Sequence, residues 1–219
     1  MLSAFGTFEP DMSPDLSFTI TAKGDPTAAD TLYICLDPSF HSALQELISS
    51  RAAFITLEPS TALSNLSLES LESFAKELVS VLIPRLRQQS NQADPRFILL
   101  ARQFNAITAI YTAARFPKDI AGVLAVAGAF WWKPEQQAKW EWLADWLSEQ
   151  KACPSPIVLL CPEGETQDRP RGIPTTLLSN RHLKHVLFAK GCSVDLLETD
   201  LNESSGQFAR LMRTALEGF

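Results

Sequence analysis

The chain has 219 residues, 46% of them hydrophobic, which is enough for one large α/β core and short for two ordinary domains, so a single domain over residues 1–219 is expected. A formal net charge of -6 with no basic stripe excludes electrostatic capture by nucleic acid or an anionic membrane surface. The start lacks a basic segment followed by an apolar one, and no apolar run approaches the roughly 18–20 residues of a membrane span, so a cytoplasmic protein is expected.

In chain order, residues 1–29 are turn-rich, with Pro10, Pro14, Gly24 and Pro26, and contribute an edge strand over Leu16–Ala22. Short runs rich in β-branched and aromatic residues follow at Thr31–Leu36, Ala53–Leu57, Arg96–Ala101, Ala121–Ala127, Ile157–Cys161 and Ser193–Thr199. Helical patterns separate them, which is the signature of a mostly parallel sheet covered on both faces. A first helix is predicted over Leu68–Gln88, with Leu71, Phe74, Ala75, Leu78, Val81 and Leu82 at helical spacing and Pro84 loosening its last turns. The next, Phe104–Arg115, is apolar on nearly every face and belongs beside the central strands. Helices are further predicted over Pro134–Gln150, Thr175–Lys190 with Gly191 as C-terminal cap, and Glu203–Leu216. No repeat, low-complexity tract or linker interrupts this order.

Cys35 and Cys161 sit in apolar runs, and Cys153 and Cys192 lie near strand starts. None forms a C-x-x-C pair, so four free thiols are expected in a cytoplasmic protein. No cofactor or metal is implied. His182 and His185, three apart, read as a solvated helix surface rather than a metal pair, and Glu163, Glu165 and Asp168 form an acidic loop without calcium-site spacing.

The chemistry concentrates where the strand Phe97–Ala101 runs into Arg102, Gln103, Phe104 and Asn105 and then into the buried helix. That strand–turn–helix context suits a nucleophile elbow, whose G-x-S-x-G pattern puts a strained serine between small residues. Here the five positions read Ala101, Arg102, Gln103, Phe104, Asn105, with Gln103 in the nucleophile's place.

The helix from Ile107 to Pro117, followed by Gly122-Val-Leu and Phe130-Trp131-Trp132, resembles the enterochelin esterase family and its esterase relatives. Weaker resemblance extends to Leu32–Phe40, to Ile157–Glu165 and to Gly191–Leu216. The resemblance implies an α/β-hydrolase-like three-layer sandwich and places the family's catalytic serine on Gln103, its histidine on Ser204 and its acid on Glu165. An amide is neither nucleophile nor base near neutral pH, and a serine cannot replace the imidazole that accepts and returns a proton. Pro38 stands where the family has a glycine and offers no N–H, and Ala125, Ala127 and Ala129 replace hydroxyl-bearing residues. Asn202 to Ser205 read as helix-capping residues rather than as a substitute nucleophile.

The resulting expectation is a pseudo-esterase that binds a ligand or serves as an accessory protein, the siderophore-like character of that ligand being implied by the resemblance alone. Its candidate ligand-binding residues are Asp37, Phe40, His41, Arg102, Gln103, Phe104, Trp131 and Trp132. Trp131 and Trp132 suit either core packing or the floor of a pocket for a flat ligand, and the Trp140, Trp142, Trp146 cluster suits core or lid packing. Asn105 is expected to satisfy backbone groups. Two alternatives stand: an enzyme with a rearranged site built on Glu165, Asp37 or His41, and a structural protein partner in a biosynthetic assembly.

Overall fold

A computed structural model describes residues 18–40, 52–59, 66–162, 170, 172–200 and 206–219. Seven strands form one sheet: β1 (Phe18–Lys23), β2 (Thr31–Cys35), β3 (Ala52–Pro59), β4 (Arg96–Arg102), β5 (Gly122–Val126), β6 (Ile157–Pro162) and β7 (Val194–Thr199). Their order is β1-β3-β2-β4-β5-β6-β7, with β1 antiparallel to β3 and every other pairing parallel. All seven predicted strands are present, shifted at their ends by one or two residues. The antiparallel strand is the edge strand, as the turn-rich segment around it suggested.

Alternation along the central strands separates two cores. Phe97, Leu99 and Ala101 of β4 point to one face, where they meet α1 (Leu68–Glu77), α2 (Ile83–Gln89), α3 (Gln103–Arg115), α4 (Trp142–Glu149) and α5 (Thr176–Ala189). Ile98 and Leu100 point to the other, where Phe208, Met212, Ala215 and Leu216 of α6 (Gly206–Glu217) cover them. Helices on both faces explain why the inner strands read as continuous apolar runs: every residue of β5 is buried. In α3, Ala106, Ala109 and Ala113 are completely buried, and their small side chains let the helix lie close to the sheet.

Three expectations are refined or corrected. The loosening expected near Pro84 is confined to the turn just before it. A π turn over Leu78–Leu82, closed by Ile83 N–H donating to the Leu78 carbonyl five residues back, sets the extra residue just before the proline, and the helix continues to Gln89. The helix predicted over Pro134–Gln150 forms only from Trp142. Residues 134–141 turn back so that the Glu141 and Trp142 N–H groups reach the Trp131 and Trp132 carbonyls, and Glu141 takes a left-handed φ of 63° that ends any helix entering from its N-terminal side.

The third correction concerns the cysteines. Cys35 and Cys161 are buried free thiols, but Cys153 and Cys192 form a disulfide. Sequence separation of 39 concealed this, because the two Cα atoms lie 5.3 Å apart once α4 and α5 pack side by side. Lys190 strengthens the same join, its Nζ donating to the Leu147 carbonyl at 2.6 Å and to the Gln150 carbonyl. Thr175 caps the start of α5 by accepting from the Leu178 N–H, and Gly191 ends it at a φ of 76°, as expected of a glycine past a helix end.

A loop of this length implies that the disulfide contributes up to about 4 kcal/mol by restricting the unfolded chain. Reduction, or Cys153→Ser, is expected to lower the urea midpoint of unfolding without altering far-UV circular dichroism. An unchanged midpoint would show that the bond does not form in solution.

Candidate functional site

The order of strands locates a crevice before any side chain is considered. From β2 the chain moves outward to β3, then returns to the other side of β2 as β4 and continues to β5, β6 and β7. In parallel sheets such a reversal opens a crevice at the carboxyl ends of the two diverging strands. Here those ends carry Leu36 and Asp37 after β2, and Arg102 and Gln103 where β4 meets α3. Asn105 spans the crevice, its Nδ2 donating to the Leu36 carbonyl at 2.7 Å, while the Leu36 N–H donates to the Leu100 carbonyl at 2.8 Å. Asn105 therefore satisfies a backbone group, as expected, but one 69 residues away.

At the junction itself Gln103 has a φ of 47°. A non-glycine residue in this left-handed region costs about 1–2 kcal/mol, and tertiary contacts must hold it there. The holding contact is visible: the Ala129 N–H donates to the Gln103 carbonyl at 3.0 Å. The segment after β5 is restrained in turn. Ala127, itself at a φ of 46°, donates its N–H to the Leu160 carbonyl at 2.8 Å, and Asn180 of α5 donates from Nδ2 to the Gly128 carbonyl at 2.8 Å. Gly128 has no alternative, because a Cβ there would lie 2.2 Å from the ring of the buried Phe130. The sharp turn at Gln103 is thus fixed from β6 and α5 as well as from β4.

Helix α3 begins with no side-chain cap at Arg102, leaving its first-turn N–H groups at the junction without intrahelical partners. The Gln103 side chain is exposed, and Phe104 beside it is 38% exposed. Phe104 meets Trp131 edge-on with centroids 5.5 Å apart, Trp131 neighbours Trp140 at 6.4 Å, and Lys133 Nζ lies 5.2 Å from the centre of the Trp140 ring. An aromatic ledge therefore flanks Gln103.

The other predicted site residues scatter. Trp132 diverges from Trp131, packing against the larger core and meeting Trp142 edge-on at 5.8 Å. Phe40 is 5% exposed and belongs to the core under α6 with Phe54, Leu100 and Val126. Asp37 and Arg102 are half-buried at the two strand ends. His41, Glu165 and Ser204 lie outside the described residues, as do Glu163, Asp168, Asn202 and Ser205. Of the three positions matched to a catalytic triad, the structure describes Gln103.

Other groups with intrinsic reactivity stand apart. Burial pushes the Cys35 thiol far above its ordinary range, with Thr56 offsetting this only in part, so no thiolate forms there near neutral pH. Cys161 is buried and directs its Sγ to the Pro162 carbonyl. His182 and His185 are exposed on α5, and His182 Nδ1 lies 3.0 Å from the Glu141 carboxylate. Ala125, Ala127 and Ala129 are all buried and bring no hydroxyl to the junction. Sequence reasoning missed Asn180 and Lys133. A polar residue three positions before the core residue Leu183 was the available signal for Asn180, and nothing local marked Lys133.

By sequence, no family model and no curated protein matches the chain. By structure it is similar to an enterochelin esterase from Shigella flexneri, with a TM-score of 0.61 and 17% identity over 94% of this chain and 59% of that one. It is also similar to MPT51 from Mycobacterium tuberculosis (TM-score 0.63, 12% identity, 96% of each chain) and to esterase PE8 (TM-score 0.62, 15% identity, 93% of this chain and 99% of that one). The chain thus spans about three-fifths of the enterochelin esterase's length. At these identities the likeness shows the fold, an α/β-hydrolase-like sandwich with the strand–turn–helix junction at its centre.

The restrained turn makes two substitutions diverge. Gln103→Gly is expected to raise stability by about 0.5 kcal/mol, relief of strain outweighing the added freedom of the unfolded chain. Asn105→Ala is expected to lower it by about 1–2 kcal/mol by unbridging the crevice. Urea unfolding of both variants checks the signs.

Proposed function

We propose that the chain is a ligand-binding or accessory relative of esterases and does not itself hydrolyse esters through a serine. One observation carries this reading: an exposed amide side chain, Gln103, occupies the tip of the left-handed turn between β4 and α3, where an esterase of this fold needs a reactive hydroxyl. The strain of that turn persists without the nucleophile it ordinarily presents. The fold therefore retains a shaped crevice, the uncapped start of α3 and the Phe104–Trp131–Trp140 ledge, which together suit a flat ligand bearing a carbonyl or anionic group. The likeness to an enterobactin esterase solved in the presence of enterobactin supports a siderophore-like molecule as the first ligand to try.

Loss of triad members costs on the order of 10⁴–10⁶ in rate, so p-nitrophenyl ester hydrolysis is expected near background in the protein and in Gln103→Ser alone. Saturable turnover by the unaltered protein, abolished by an organophosphate that adds its phosphoryl mass to the chain, would overturn the non-catalytic reading. Ferric and metal-free siderophores are expected to quench tryptophan fluorescence saturably, and Trp131→Ala to weaken this by about tenfold. No binding across the panel would remove the siderophore part.

A further inference from the structure

Two turns along α3 from the junction, the outer side of the helical layer carries a second feature. Helix α4 buries Leu143, Ala144 and Leu147, and its opposite stripe reads Trp142, Asp145, Trp146 and Glu149. These positions are spaced i, i+3, i+4 and i+7, so the four side chains share one face. Together with Gln137, Ala138 and Lys139 they line a cleft of about 500 Å³, a volume that accepts a small organic molecule.

The walls of this cleft are aromatic and acidic. Trp142 and Trp146 stack with centroids 5.9 Å apart. Behind them Trp146 rests on Tyr111 of α3 at 4.8 Å, and Trp142 meets Trp132 edge-on. Both indoles pack against the larger core on one side yet remain only half-buried and line the cleft on the other. The face of an indole carries negative charge density and attracts cations. Two carboxylates stand beside these rings against one ammonium, that of Lys139, and neither Asp145 nor Glu149 makes an ion pair with another described residue.

We propose that the cleft on α4 binds an organic ammonium ion, holding its charged head against Trp142 and Trp146 and compensating it with Asp145 and Glu149. An anion would meet two carboxylates, and a neutral apolar molecule would leave them unused. The site is separate from the crevice at Gln103: Tyr111 lies eight residues along α3 from that end, about 12 Å of helix. The proposal therefore stands whether or not the elbow binds a ligand.

Choline and 1,4-diaminobutane, titrated into the full chain and followed by tryptophan fluorescence and indole N–H resonances, test this directly. Saturable binding by at least one of them is expected, with shifts concentrated on Trp142 and Trp146. The surface double variant Asp145→Asn, Glu149→Gln should weaken it by about tenfold or more, and Lys139→Met should tighten it by about twofold to fivefold. The neutral choline isostere 3,3-dimethylbutan-1-ol should bind at least about tenfold more weakly. Absence of saturation by both amines, equal binding of the neutral isostere, or binding unchanged in the double variant would each overturn the proposal.

Discussion

The left-handed turn at Gln103 is the constraint on which the rest of the centre depends. A strand and a buried helix can follow one another this closely only if one residue absorbs the change of direction, and a non-glycine residue does so at a cost of about 1–2 kcal/mol. The restraint is distributed. Ala129 holds the Gln103 carbonyl, Ala127 is anchored to β6, and Asn180 holds Gly128 from α5. Because these bonds tie the segment after β5 to Gln103, to β6 and to α5, the turn cannot relax without disturbing all three. This explains how a left-handed turn is held at a residue that carries an amide side chain.

The aromatic residues then divide the surface of the helical layer in two. Trp131 and Trp132 are adjacent in sequence, yet one ring flanks Phe104 at the junction and the other joins Trp142 and the larger core. The reversal at residues 134–141, locked by backbone bonds from Glu141 and Trp142 to those two tryptophans, makes the separation possible. One ring system borders the crevice, and the other lines the cleft on α4. Trp140 belongs to the first and Trp142 to the second, so the left-handed residue Glu141 between them marks the divide.

Ties of another kind hold the outer helices. The disulfide from Cys153 to Cys192 and the Lys190 bonds to the end of α4 join α4 and α5 at one end, while His182 meets Glu141 near the start of α4. Few of these contacts involve the sheet, which is why strand patterning carried no sign of them. No described helix is long and apolar enough to cross a membrane.

The strands, their burial and the location of the junction were legible in the sequence, because a two-sided sheet demands short apolar runs and an apolar strand running straight into an apolar helix leaves one short turn between them. Gln103 could be placed at the tip from those constraints alone. What only the tertiary structure decided were properties that depend on segments far apart in the chain: the bridge from Asn105 to Leu36, the burial of Phe40 beneath α6, the pairing of Cys153 with Cys192 and the parting of Trp131 from Trp132. Local periodicity reports which face of an element is buried but not which neighbour buries it, and that choice is made by the order in which the strands assemble.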